Sequence, residues 1–182
     1  MSEFNVPKKE EVSENNKEIL DDIEKGLGFV PNIYAYYTKS ETALKDYLNL
    51  QNRKTSISKR EREVINLVVS EYNNCEYCTS AHTVIAGLNG FSTNEILNIR
   101  TGNAPFDKKL DSLAQFTLAT VKNRGNVNPE SKAAFFEAGY TEANLIDIVM
   151  TIGDKIMSNF LHNIAGFPVD FPKAQSIEGE RA

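Results

Sequence analysis

Helix start and stop signals recur along this 182-residue chain, and stretches that alternate apolar with polar residues are almost absent. Ser58-Lys-Arg-Glu61 and Ser92-Thr-Asn-Glu95 are capping boxes, in which a hydroxyl and a carboxylate satisfy open backbone amides at a helix start. Asn128-Pro129 reads as a cap followed by proline at the first helical position. Glycines at 28, 102, 125, 139 and 166 follow apolar runs of helical spacing and close them. Such punctuation predicts an all-α fold, a compact multi-helix bundle.

Residues 13–26 carry Ile19, Leu20 and Ile23 at helical spacing, with Leu27 beyond. Ser40 is expected to cap a helix through about Asn52, and Ser58 to open an apolar one through about Tyr72. Asn73-Asn74 then break or bend the chain. Asp107 caps a helix with Leu110, Leu113, Ala114, Thr117 and Val121 on one face. Leu145, Val149, Ile152, Ile156 and Phe160 mark a long final helix into Gly166. Ile33-Tyr-Ala-Tyr-Tyr37 suits a strand by propensity, although Pro31 suits a helix first turn. Beyond Phe167-Pro168 the chain reads as a polar tail. The expectation is one domain over 1–182, with its core at about 13–166 and a tail at 167–182.

A domain of this size can bury a core without covalent staples. Apolar residues at 41% and charged residues at 25% are ordinary for a soluble globular chain. A net charge of −5 leaves no basic stripe for nucleic acid or an anionic membrane. No apolar run approaches the ~18 residues of a bilayer span, and the first residues lack the apolar core of a signal peptide. A cytoplasmic location is therefore expected. In that compartment paired cysteines point to catalysis or metal binding rather than to a staple.

The chemistry concentrates at Glu71-Tyr-Asn-Asn-Cys75-Glu-Tyr-Cys78-Thr-Ser-Ala-His82, which holds both cysteines and one of the two histidines. Three readings compete there: two buried structural cysteines, a zinc site, or a redox-active dithiol. Zinc needs four converging ligands. Residues 75 and 82 lie ~10 Å apart along a continuous helix, and no second Cys/His cluster completes the shell. A dithiol fits better. Side chains at i and i+3 on a helix lie ~5–6 Å apart, within the ~4.4–6.8 Å Cα separation that a disulfide accepts. A helix start just after Asn73-Asn74 would favour thiolate, and His82 can take a proton from Cys78 or hydrogen-bond its sulfur. Cys78 is assigned as nucleophile on the histidine argument, with Cys75 as its resolving partner.

A carboxylate base is sought among Glu61, Glu63 and Glu71. Glu71 neighbours Cys75 if the helix runs on; Glu63 reaches His82 if the chain bends. Partial burial beside Val64-Ile65 would raise the Glu63 pKa towards base-like values. The last helix faintly echoes the Cys–His helix, with Ser158 matching Cys78 and His162 matching His82. His162 is expected to bond a backbone carbonyl in the core or an interface, the alternative being that Asn159 and His162 line the thiol pocket. Tyr34, Tyr36 and Tyr37 read as core or subunit interface.

Glu63, eleven intervening residues, then Cys75-x-x-Cys78-x-x-x-His82 resembles the signature of alkylhydroperoxidase D-like proteins in the carboxymuconolactone decarboxylase family. Leu27-Gly-Phe-Val-Pro-Asn32 resembles that family's entry segment. Asn159-Phe-Leu-His162-Asn and Pro168-Val-Asp-Phe-Pro172 resemble the close of its peroxidase-related branch, so the likeness covers roughly 25–172. The resemblance implies an all-α homo-oligomer (dimer, trimer or hexamer) and a peroxidase that needs no cofactor, neither haem nor metal. Carried over, Cys78 attacks a small-molecule peroxide, Cys75 closes a disulfide, His82 and Glu63 relay protons, and an external dithiol reductant resets the pair. The peroxidase members resembled here carry a histidine immediately before the second cysteine; this chain has Tyr77, which cannot act as a base near neutral pH. The same dithiol also suits a disulfide reductase with another substrate, or a non-catalytic redox-sensing oligomer.

Overall fold

The computed structural model describes residues 4–177, and its elements are all helical. They are α1 (Glu14–Leu27), α2 (Asn32–Tyr37), α3 (Ala43–Gln51), α4 (Lys59–Tyr72), α5 (Glu76–Leu88), α6 (Thr93–Arg100), α7 (Lys108–Lys122), α8 (Pro129–Glu137) and α9 (Glu142–Ala165), after a short 3-10 turn at Lys9–Glu11. The predicted all-α bundle is the observed fold. No helix among the described residues is long and apolar enough to cross a membrane.

The centre is α4, which packs against α5, α6, α7 and α9. Its run from Glu63 to Ser70 is buried all round, the pattern of a helix enclosed by neighbours rather than lying on a surface. The main core gathers Val64, Ile65, Leu67 and Val68 of α4 with Leu113 and Phe116 of α7, Phe135 of α8 and Ile148 of α9. Phe135 stacks between Phe116 at 4.3 Å and Tyr140 at 4.7 Å. The predicted caps form: Ser58 and Ser92 close their capping boxes with Glu61 and Glu95, and Asp107 and Asn128 cap α7 and α8.

Two expectations need correction, at Ser40 and at the tail; an open choice at 33–37 is decided, and the last helix turns an unexpected face inward. Ser40 caps nothing; α3 starts at Ala43, and residues 38–41 form a turn whose Thr38 and Ser40 carbonyls accept from the Asn16 side-chain amide at 3.3 and 3.4 Å. The aromatic run 33–37 is helix, not strand. Its opening amides are satisfied from far along the chain, Asn32 N–H by Asp170 at 2.6 Å and Ile33 N–H by the Tyr77 hydroxyl at 3.3 Å, so tertiary partners override β-propensity. The long final helix forms as expected, but the residues that marked it divide: Ile152 is buried and Leu145 and Ile156 pack on the core, while Val149 and Phe160 are exposed and Thr151, Asp154, Lys155, Ser158, Asn159 and His162 are buried. The inner face of this helix is largely polar.

Residues 167–176, finally, are not a loose tail. Gly166 takes the left-handed conformation that ends α9 (φ 61°), and the chain turns back as a strap over α2 and α5. Phe167 is 2% exposed. Phe171 meets the rings of Phe29 and Tyr77 edge-on, Ala174 N–H donates to Ser80, and Lys173 pairs with Glu76 at 2.6 Å.

Candidate active site

The turn between α4 and α5 fixes the first sulfur. Asn74 adopts φ 53°, and the amides of Asn74 and Cys75 donate to the carbonyls of Glu71 and Ser70, each at 3.0 Å. This is the two-bond closure of a Schellman motif, with asparagine in the left-handed position usually given to glycine. Cys75 leaves that motif directly as the N-cap of α5. Its sulfur accepts the Cys78 backbone N–H at 3.2 Å. Cys75 therefore lies outside the helix proper, at the positive end of its dipole.

Both thiols are free and buried. They sit in a second cluster with Ile33, Tyr36, Tyr77, Ala165 and Phe167. The two neighbouring thiols act on one another's acidity. Interaction with Cys75 leads the forces that bring Cys78 down to about 7 against the cost of burial; the Lys155 charge and the polar groups of Asn159 and Ser158 add to it. By the same interaction, and through burial, Cys75 is pushed well up.

One turn further along α5, His82 Nδ1 lies 2.8 Å from Glu63 Oε2. Glu63 also accepts from the Asn66 amide at 3.0 Å. Burial pushes the Glu63 pKa up, but His82, Lys155 and Asn66 together outweigh it and leave the carboxyl below its usual range. The base-like rise expected for this residue is thus reversed. For His82, burial and the Lys155 charge lower the pKa against the pull of Glu63. The pair is a carboxylate beside a neutral ring, with Nδ1–H donating to Glu63 and the Nε2 lone pair left as the base.

Of the other carboxylates, Glu61 serves the Ser58 cap and pairs with Lys109 at 3.2 Å. Glu71 is bound to Arg100 at 2.8 Å. Tyr77 is spent on packing against Phe167 and Phe171, its hydroxyl accepting from Ile33. His162 contacts the Phe167 carbonyl at 3.1 Å and packs on the Tyr77 ring. Asn159 faces the thiols, bridging Asn73 at 3.0 Å and Ser70 at 3.3 Å. Among the described residues no hydrogen bond joins His82 to either sulfur.

Two hollows approach the thiols. A polar one of about 310 Å³ reaches Cys75 between Glu71, Glu76, Arg100 and the strap. An apolar one of about 580 Å³ is lined by Tyr37, Tyr47, Leu50, Met157, Leu161 and Ile164. Tyr37 and Leu161 line the apolar hollow on one side and pack against the thiol cluster on the other.

Residues 39–109, which include Glu63, Cys75, Cys78 and His82, match the family model of the carboxymuconolactone decarboxylase family. The fold is similar to that of the alkylhydroperoxidase AhpD core of a peroxidase-related protein from Ralstonia eutropha JMP134. The TM-score is 0.83 at 21% identity, covering 92% of this chain and 91% of that one. The fold is thus that of the alkylhydroperoxidase D core, and residues 39–109 are similar to the carboxymuconolactone decarboxylase family. A peroxidase-related protein from Silicibacter sp. TM1040 is also similar in fold, with TM-score 0.79 and 19% identity over 90% of this chain and 88% of that one. The debrominase Bmp8, bound to 2,3,4-tribromopyrrole, matches with TM-score 0.77 and 15% identity over 93% and 92%. No curated protein matches significantly.

Lys155 and Asp154 were invisible as site residues in the sequence reading. The available signal was a charged pair at 154–155 within the apolar run of α9, where a purely structural helix would carry aliphatic side chains.

Proposed function

We propose that this protein is a thiol-dependent peroxidase that reduces hydrogen or organic peroxides through Cys75 and Cys78. The observation that carries this reading is a buried free dithiol, with the Cys75 sulfur accepting the Cys78 amide, and on the same helix the imidazole of a carboxylate–imidazole pair. Cys78 thiolate attacks the terminal peroxide oxygen; the O–O bond breaks, leaving a sulfenic acid and an alkoxide that takes a proton to leave as alcohol. Cys75 then attacks the Cys78 sulfur, forming the disulfide and releasing water. An external dithiol reduces it by exchange. Glu63 fixes the His82 tautomer, and Nε2 exchanges protons with the thiols through an intervening water. A reducing compartment such as the cytoplasm keeps the resting pair reduced. The exposed apolar stripe of α9, with Ile146, Met157, Phe160 and Ile164, suits self-association into a homo-oligomer.

Stopped-flow oxidation of the reduced protein by peroxide, followed by turnover with lipoyl, thioredoxin-like and small dithiols, tests this function. Repeated turnover is expected, and Cys78→Ser should abolish it. Undiminished turnover in that variant would sink the assignment of Cys78.

The apolar hollow behind Tyr37 favours a second reading, in which the electrophile is an organic molecule rather than a peroxide, as the name of the debrominase neighbour illustrates. Oxidation by halogenated aromatics but not by peroxides would select it.

A further inference from the structure

Lys155 is 2% exposed in the middle of α9, and among the described residues its ammonium forms no ion pair. A buried charge without a contact partner costs several kcal/mol by typical accounting, so an opposite charge nearby must offset it. Asp154 beside it makes no ion pair with it: its Oδ1 is unpartnered, and its charge acts on the tyrosines of α2 and α3 and on His82. The neighbours of Lys155 on the same helical face, Ser158 and Asn159, present polar groups to Cys78.

We propose that Lys155 is a positioning residue for the thiol chemistry, the cation on the buried polar face of α9, which packs on the α4 and α5 helices of Glu63, Cys78 and His82, and that it organises the charges of the site. Its charge acts on all three groups. With His82 neutral, Lys155 is the remaining cation acting on Glu63, adding to the His82 hydrogen bond that keeps it a carboxylate and holds the Nδ1–H tautomer. It supplies the positive charge that Tyr77 cannot supply from the position before Cys78. This role rests on Cys78 being the working thiolate but not on which electrophile it attacks.

The ionisable groups facing Cys78 are Tyr37 of α2, Cys75 and Tyr77 around α5, and Lys155 of α9, while His82 faces Glu63 of α4 and Asp154 and Lys155 of α9. Two explanations for any effect of Lys155→Met differ in sign. Loss of a cation raises the pKa of both Cys78 and His82. Loosening of the core, which lets water in, raises His82 but lowers Cys78, because burial pushes those two in opposite directions.

The experiment titrates thiolate by its ultraviolet absorbance and His82 by NMR, in the reduced full-length protein. Lys155→Met should move both upward. A one-unit rise from about 7 lowers the thiolate fraction at pH 7 about five-fold, and Lys155→Arg should restore it. A folded Lys155→Met with Cys78 unmoved or lowered overturns the proposal. If Lys155→Met lacks native helix content, Lys155→Gln is read in the same way. If neither neutral variant folds, Lys155→Arg decides: unchanged titrations support the charge role, and a displaced Cys78 titration overturns it. A peroxide assay run alongside separates failure of this role from failure of the peroxidase reading, because the titrations need no turnover.

Discussion

The two apolar clusters of this protein are built on opposite plans. The larger one joins α4, α6, α7, α8 and α9 with aliphatic side chains and a Phe116–Phe135–Tyr140 stack. Polar atoms are kept at its edges by capping. The smaller cluster packs Ile33, Tyr36, Tyr77 and Phe167 around two thiols. Buried polar side chains of α4, α5 and α9 enter its wall. The first cluster is optimised for burial alone. The second accepts the desolvation of several ionisable groups and is covered by a strap rather than by a helix.

That contrast can be broken first at its chemical end. Cys78→Ser should reduce peroxide turnover to background while leaving the thermal transition close to that of the parent. A large loss of stability would mean that the thiol is structural. Next is Glu63→Gln, which keeps the shape but removes the acceptor charge. Turnover should fall about 10²–10⁴-fold, the usual contribution of a general acid–base group, with KM little changed. In the other cluster, Phe135→Ala should cost about 3–5 kcal/mol in denaturant unfolding and leave the thiol titration where it was. A displaced titration would show that the two clusters are one unit.

A finer test uses pH. Cys78 is lowered to about 7, from an unperturbed thiol near about 8.5. Its charged form stabilises the fold fully above the unfolded value, and that contribution is lost as pH falls through about 7. The rate of oxidation by peroxide should follow the same curve, half-maximal near 7. A rate flat from pH 6 to 8 (chosen as about one unit either side of that midpoint) would exclude Cys78 thiolate as the attacking species. The smallest effect is expected at a cap: Ser58→Ala should cost about 1 kcal/mol and change no titration.

The same contrast explains what the sequence made legible. Capping boxes and helical spacing marked α4, α6, α7 and α8 because those elements obey local rules. The Cys75, Cys78 and His82 cluster stood out through the scarcity of its residue types, and Glu63 emerged through a family likeness. Local rules failed where partners came from far away. Helix α2 is held by Asp170 and Tyr77, and Asn16 occupies the turn that Ser40 was expected to close as a cap. The polar inner face of α9 was not visible to a reading that located the helix by its apolar spacing alone. Lys155 was lost for that reason.

The sulfur at the N-cap of α5 gives oxidation a conformational consequence. In the reduced protein Cys75 completes the first turn of that helix by accepting the Cys78 amide. Once it is tied into a disulfide it is a poorer acceptor, so the reduced state alone enjoys the intact helix end. Folding energy thus leans towards the dithiol. A couple biased in this way would have a raised redox potential and would give up its disulfide readily to an incoming donor, as the proposed peroxidase cycle requires.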